Sequence, residues 1–527
     1  MKAKTLFYNG RIHTQADYLV VDSMALYRSR IVAVGNRLEH DSDFDRYDKI
    51  DLKGRTVIPG LVDAHTHFHY FARSLGKVDL DGVDSIDKCL SRIKAFAATV
   101  KKGAWVTGGG YSPDRFKKRI EPDRFMLDKI TGDRPAFIFS KDQHSAWVNS
   151  KALEIAGITS RTKDPDGGKI ERCADGEPSG ILRETAYQKV YRLVPIPSGA
   201  EIDRLYKKAL DYAYRNGVTG VHSFDGSNGF IYFLQLAQSG KVGLRINYYF
   251  PVEMLPQMHK SKVYYGTGTD FFRVAGVKVF ADGSLGSQTA LCFNKYIGSK
   301  DNFGIEVTPP RELERVVKSA AKLGFPCAIH AIGDRAVANV LDAFEKGPQL
   351  HFGARHRIEH LQLVRRADLA RLKSLGVVAS MQPSHCPSDI QMIRRYWGKR
   401  GANAFIFRTL IDKKMDLAFG SDAPIEPLNP IAGIAAAVRR ARSNSRDVFY
   451  PDQRITAAEA LYHYTVGPAR AVGQEHCRGY LLPGYPADFV LLEDDITKVP
   501  STKIEGTRVL VTVLDGKVRY THSSVNW

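Results

Sequence analysis

The chain reads as an α/β protein: a (β/α)₈ TIM-like barrel with a small β-sandwich domain composed from both termini and an insertion after the first barrel strand. Three observations predict this. Short apolar runs alternate with helical patterns through the middle of the chain, which favours a parallel sheet. The runs number eight, enough to close a barrel. The 527 residues far exceed the roughly 250 that a plain barrel needs, so there is room for added parts.

In order, the first element is Leu6-Phe7-Tyr8-Asn9-Gly10-Arg11-Ile12, an apolar run with an Asn-Gly step that predicts a hairpin. Ser23 to Gly35 is strand-like as well. The eight barrel runs are Leu61–His67, Val218–Phe224, Arg245–Phe250, Ala275–Phe280, Pro326–His330, Arg357–Leu361, Val377–Met381 and Leu417–Gly420. Gly217 and Gly324, each just ahead of a run, mark helix ends. The first and second runs are too far apart for one connecting helix, so about residues 100–200 form an insertion. It holds a strand around Arg134–Phe139 and a helix from Ser150 to Gly157. Leaving from the catalytic face, this insertion is placed to cover a site there. At the far end, Gly484–Leu492 is strand-like, and Val511–Val518 repeats the first hairpin pattern with Asp515-Gly516 at its turn. Residues 1–59 and 476–527 are therefore assigned to a composite β-domain, and 60–475 to the barrel.

Hydrophobic residues make up 43% and charged residues 25%, ordinary values for a globular protein. The first residues lack a long apolar h-region, and no run of 18 or more apolar residues occurs. Neither a secretory signal nor a membrane partner is expected. The six scattered cysteines suit a reducing compartment, so a cytoplasmic location is expected. The formal charge of +19 raises the question of nucleic acid. The basic residues do not form one block, however: Lys117-Lys118-Arg119 is followed by Glu121 and Asp123, and Arg439, Arg440 and Arg442 fall on a predicted helix. With no nucleic-acid motif present, a solvated basic surface is expected and no nucleic-acid partner. Homo-oligomeric assembly stays open.

In Asp63-Ala64-His65-Thr66-His67 the two histidines lie two residues apart, and on a strand such residues share a face. His330 ends the fifth run, His360 ends the sixth, and Asp422 follows the eighth. All lie at C-terminal strand ends, where active-site groups of such barrels collect. One or two divalent ions are expected among them. Zinc is the expected metal for histidine and carboxylate donors, with iron, nickel and manganese as alternatives. Lys278, inside the fourth run, is costly to bury as a cation. Two readings stay open for it: an ion pair with Asp282, or a neutral amine that takes up CO₂ to give a carbamate bridging two metals.

The segments Gly60–His67, Lys278 with Ala281–Ser287, His330–Asp334, Ile358-Glu359-His360 and Gly420-Ser421-Asp422 resemble the amidohydrolase superfamily. Within it, Asp142–Asn149 and Gly176–Gly180 are similar to the YtcJ-like branch, which includes N-substituted formamide deformylases. The likeness covers nearly the whole chain, and no motif is specific to a substrate. It implies that His65, His67 and Asp422 hold a more buried metal, that His330 and His360 hold a more exposed one, and that carbamylated Lys278 bridges them. It also implies a reaction. A water acidified to a pKa near ~7 by the metal attacks the carbonyl of a small amide or formamide, a non-peptide C–N bond. Asp422 takes its proton and passes it to the leaving nitrogen. His144, Asp282 and Trp147 are substrate-binding candidates, with Asp282 also a partner for a metal ligand. Phe68, Tyr70, Phe71, Tyr111 and Trp147 are candidates for an apolar substrate wall. The glycine-rich loop Gly283–Ser287 lacks a P-loop lysine. Two competing expectations remain: a mononuclear deaminase on the same fold, which would not need Lys278, and a catalytically inactive scaffold.

Overall fold

All eight apolar runs pair into a single parallel sheet in a computed structural model of the chain. The structure describes residues 2–17, 19–113, 116, 120–141, 145–165, 167–195, 197, 199–350, 353–442 and 445–525. The barrel strands are Leu61–Thr66, Val218–Ser223, Arg245–Pro251, Phe272–Phe280, Cys327–Ala331, Arg357–His360, Val378–Met381 and Leu417–Phe419. They follow one another in sequence order across the sheet. Between the eighth and the first strand, Thr66 forms a parallel bridge with Ala423. The Asp422 amide donates to the His65 carbonyl at 2.7 Å, and the His67 amide donates to that of Ala423 at 2.8 Å. The seam is thus sewn by the segments that carry candidate ligands. Amphipathic helices such as Ala200–Arg215 and Pro310–Lys322 precede the second and fifth strands, in the expected α/β alternation.

Both termini contribute to the flanking sheets. A six-stranded sheet runs Lys517–Thr521, Val509–Leu514, Phe489–Leu492, Thr56–Pro59, Arg11–His13, Val20–Val21. A four-stranded sheet runs Arg30–Gly35, Ser23–Tyr27, Lys4–Tyr8, Asp48–Asp51. One apolar core, including Phe7, Met24, Val57, Phe489 and Val511, is shared by the two. The hairpin expected at Asp515-Gly516 forms, since Val509–Leu514 pairs antiparallel with Lys517–Thr521 and both turn residues have positive φ, 54° and 67°. The hairpin expected at Asn9-Gly10 does not form. Lys4–Tyr8 pairs with Ser23–Tyr27 and Asp48–Asp51, whereas Arg11–His13 lies in the other sheet. Asn9 is left-handed at φ 55°, but the step is a corner between sheets. A Cβ at position 10 would lie 2.4 Å from Leu52 Cδ1, so that side chain would have to shift to admit one.

A second compact unit spans residues 72–208. It starts well before the expected residue 100. Val78–Asp79 pairs with Gly108–Gly109 at the edge of its six-stranded sheet, and the helix Ile86–Ala97 supplies Ile86, Cys89 and Ile93 to its core. The strand expected at Arg134–Phe139 is Ala136–Ser140. The helix expected from Ser150 is capped by Asn149, whose side chain accepts from the Ala152 amide.

Among the described residues no helix is long and apolar enough to cross a membrane, and the six cysteines are free thiols. Of the basic residues singled out above, Lys117, Lys118 and Arg119 lie outside the described residues. The helix expected to carry Arg439, Arg440 and Arg442 ends at Arg439. Arg440 is buried, and its guanidinium donates to the carbonyls of Phe449 and Phe405, each at 2.7 Å. Part of the positive charge is therefore structural.

Candidate active site

Barrel geometry brings His65, His67, Lys278, His330, His360 and Asp422 to one end of the parallel strands. His65 and Asp422 anchor the group. The Nδ1 of His65 is tied to the Glu359 carboxylate, which leaves Nε2 facing Asp422 Oδ1 at 3.5 Å. On His67, Nδ1 donates to the Phe224 carbonyl at 3.1 Å, and Nε2 lies 3.3 Å from the same Asp422 oxygen. The two histidines of the His-x-His pair thus present the same ring nitrogen to one carboxylate oxygen, each oriented by a partner on its other nitrogen. Ligand atoms of His65, His360 and Asp422 all fall within 4.8 Å of one another, a spacing that fits a cation. This grouping joins His360 to the residues assigned above to the more buried metal. The His330 ring packs 4.5 Å from that of His360, with its Nε2 directed to the Gly283 carbonyl at 3.0 Å.

Burial and neighbouring charges set the protonation of these groups. Burial pulls His65 down to about 4 and His330 to about 3, and it holds His360 well below the usual histidine range. Neutral imidazole is the ligating form. For His67 burial works in the same direction, but the adjoining Asp422 outweighs it and raises the value. Burial would protonate Asp422, yet the hydrogen bond from His67 and the field of the other imidazoles keep it well below the carboxylate range. His360 and Asp422 take up the left-handed region, φ 72° and 62°. Such backbone costs of order 1–3 kcal/mol per residue and collects at functional sites.

Lys278 is 4% exposed. Its Nζ lies 4.8 Å from the ring centroids of both Phe224 and Phe280. No carboxylate comes within ion-pair distance of it among the described residues. Burial pulls it down to about 8. The pairing with Asp282 is not made, because Asp282 is engaged elsewhere. Its carboxylate accepts the amides of Ile332 at 3.0 Å, Gly333 at 2.8 Å and Leu291 at 2.9 Å, and it lies 3.6 Å from His330 Nε2. Asp282 thereby shapes the loop behind His330 instead of facing a substrate.

The remaining candidates separate clearly. Trp147 is fully buried in the core of the 72–208 unit, its Nε1 donating to the Asp123 carbonyl at 2.7 Å. That environment corrects its reading as a substrate contact. Phe68, Phe71 and Tyr111 are buried too, which leaves Tyr70 of the proposed wall. It is 43% exposed with its ring 6.1 Å from that of His67. His144 lies outside the described residues.

Three groups were missed in the sequence. Glu359 was visible only as a neighbour of His360. It is fully buried, holds His65, and is paired with Arg357. Burial would raise its pKa, but the Arg357 guanidinium holds it well below the usual range. Arg357 also donates to the Ala64 carbonyl and Ser380 Oγ, both at 2.6 Å, and reaches His222 Nδ1 at 2.8 Å. Asp63 accepts the Ser421 amide at 3.0 Å and the His65 amide at 3.1 Å. Its approach requires Gly420, where a Cβ would lie 2.7 Å from Asp63 Oδ1. His385, after the seventh strand, carried no spacing signal at all.

The amidohydrolase family model matches residues 48–520. The chain belongs to the amidohydrolase family. Within the family it falls in the YtcJ-like branch. It is 31% identical to the putative amidohydrolase YtcJ of Bacillus subtilis over 92% of this chain and 93% of that one. It is 33% identical to the protein LONG AFTER FAR-RED 3 of Arabidopsis thaliana, over 98% and 92%. To the N-substituted formamide deformylase of Arthrobacter pascens it is 26% identical, over 93% of each chain. The crystal structure of an uncharacterized metal-dependent hydrolase from Pyrococcus furiosus superposes with a TM-score of 0.77 at 29% identity, covering 94% of this chain and 100% of that one. This amidohydrolase is accordingly a hydrolase built on a barrel with added sheets.

Proposed function

We propose that the protein hydrolyses a non-peptide carbon–nitrogen bond at the carbonyl of a small amide, with N-substituted formamides as the first substrates to try. The observation that carries this reading is the convergence of His65 and His67, through the same ring nitrogen, on one oxygen of ionised Asp422. The residues fit divalent ions: burial holds the imidazoles of His65, His330 and His360 neutral, and His360 Nδ1 is buried without a hydrogen-bond partner. His65, His67, His360 and Asp422 would hold one ion, and His330 with carbamylated Lys278 would complete a second position. When bound, zinc or a similar ion polarises a carbonyl and lowers the pKa of water from 15.7 toward about 7. Asp422 then accepts a proton from the attacking water and returns it to the leaving nitrogen. Glu359 fixes the orientation of His65 throughout. Large apolar side chains exposed beside the ligands support an apolar substituent on the substrate: Phe280 against His330, Tyr70 against His67, and Ile425 one turn after Asp422.

Elemental analysis of protein prepared without chelator should find between one and two equivalents of a transition metal. Less than about half an equivalent, with no recovery on adding zinc or manganese, would remove the basis of the proposal. The same measurement addresses the second reading, a mononuclear deaminase, which the tight His65–His360–Asp422 grouping favours. A single equivalent with turnover of amino-purines instead of amides would select it.

Lys278 supplies its own test. Carbamylation needs the neutral amine, and burial sets its proton loss at about pH 8. A lowered lysine pKa means that the neutral fraction grows as pH rises. At constant dissolved CO₂, reactivation of metal-stripped protein should therefore climb with pH below that value and level off above it. Lys278→Ala should abolish activity, with partial rescue by a short-chain carboxylate plus bicarbonate. Wild-type activity and metal content in Lys278→Ala would rule the bridge out.

A further inference from the structure

His385 opens the helix His385–Tyr396 that follows the seventh barrel strand, on the same end of the barrel as the ligands. It is 8% exposed. Its ring stacks on that of His360, with centroids 6.0 Å apart and planes inclined by 16°. Its Nε2 is buried without a hydrogen-bond partner and points at Asp422 Oδ2 from 3.9 Å. That separation is too long for a direct hydrogen bond and leaves the two atoms facing a common position. Leaving such a nitrogen unpaired is costly in a finished site. The helix itself is anchored: Asp389, one turn further on, accepts from Gln362 Nε2 at 2.8 Å, which ties it to the segment just beyond His360.

We propose that His385 Nε2 accepts the N–H of the scissile amide, and so makes the enzyme selective for secondary over tertiary amides. This rests on the amide reading above. The Asp422 carboxylate must deliver a proton to the leaving nitrogen, so that nitrogen lies beside Asp422, and the neighbouring group that faces the same position is His385. With the substrate N–H held by His385, the nitrogen lone pair turns toward Asp422. Water adds to the carbonyl carbon as its proton passes to Asp422. The carbon–nitrogen bond then breaks, its electron pair stays on nitrogen, and Asp422 returns the proton there. The products are a carboxylic acid and a primary amine. Tertiary amides have no N–H to offer and are held less well.

The test compares an N-alkylformamide with its N,N-dialkyl analogue on the metal-loaded wild type, His385→Phe and His385→Gln, with metal content measured on each. The phenylalanine keeps the stacked ring and removes the acceptor. The glutamine keeps an acceptor and serves as the control if the phenylalanine variant folds poorly. In His385→Phe, kcat/KM for the secondary formamide should fall roughly three- to tenfold, the range expected for one hydrogen bond. Tertiary turnover and metal content should stay level, and His385→Gln should recover part of the preference. A loss of metal in His385→Phe would make this residue a ligand and overturn the proposal. An equal loss on both substrates with metal retained would do so as well, by reducing His385 to a structural role. Absence of turnover of either formamide by the metal-loaded wild type would instead strike the amide reading, and the selectivity with it.

Discussion

Asp422→Asn should lower kcat/KM by more than the ~10² to 10⁴ typical of losing general acid–base help alone, and it should lower metal content as well. The carboxylate holds both histidines of the His-x-His pair at 3.5 and 3.3 Å, so the amide removes the charge that attracts a cation and the base that moves the proton. Steady-state kinetics on the best amide, with metal analysis of the same preparation, reads both effects. Full metal with a deep loss of activity would isolate the proton transfer. Full metal with nearly full activity would dispose of the shuttle. The backbone at this position is left-handed, a conformation that asparagine tolerates well, so the variant should fold.

Glu359→Ala should be among the most destabilising single changes in the barrel. It leaves Arg357, fully buried, without its carboxylate, and breaking a buried pair by removing one partner costs about 3–5 kcal/mol. It also removes the acceptor that orients His65, and such partners are typically worth ~10- to 100-fold in metal affinity. The two consequences separate in a double variant. Arg357→Met with Glu359→Leu replaces both charges by apolar groups and should recover much of the stability, while metal affinity stays low because His65 Nδ1 still has no acceptor. Chemical denaturation of the metal-free proteins and zinc titration of each would read the two effects. Unchanged zinc affinity in both variants would show that His65 does not depend on Glu359.

The barrel interior explains why this pair exists. Below the ligand ring, Arg357 connects Glu359, Ser380, His222 and the Ala64 carbonyl, where barrels of this kind more often carry branched apolar side chains. A layer of satisfied charge directly beneath the candidate ligands fixes the His65 imidazole in a way that apolar packing does not. The left-handed backbone at His360 and Asp422 adds to the same picture, since strain of that sort persists only where the surrounding contacts over-determine it.

Local pattern alone determined the eight barrel strands and the residues at their ends. Apolar run length, and a candidate ligand in or just after five of the eight runs, are properties of a few consecutive residues, and parallel strands in sequence order place those ends together whatever the loops do. His65, His67, Lys278, His330, His360 and Asp422 were legible for that reason. The Asn9-Gly10 step was misread because a turn dipeptide does not record which sheet the next strand joins. That is decided by long-range pairing, which joins Lys4–Tyr8 to Ser23–Tyr27 and Asp48–Asp51 but Arg11–His13 to Thr56–Pro59. The bond between Glu359 and His65 joins residues 294 apart in the chain. The approach of His385 to Asp422 crosses from the seventh strand's helix to the eighth strand's end. Neither has a period or a spacing, since each exists only once the sheet has closed and brought the strand ends together. Tertiary structure therefore decided the groups that orient the candidate ligands, while the sequence by itself determined which residues stand at the strand ends as candidates.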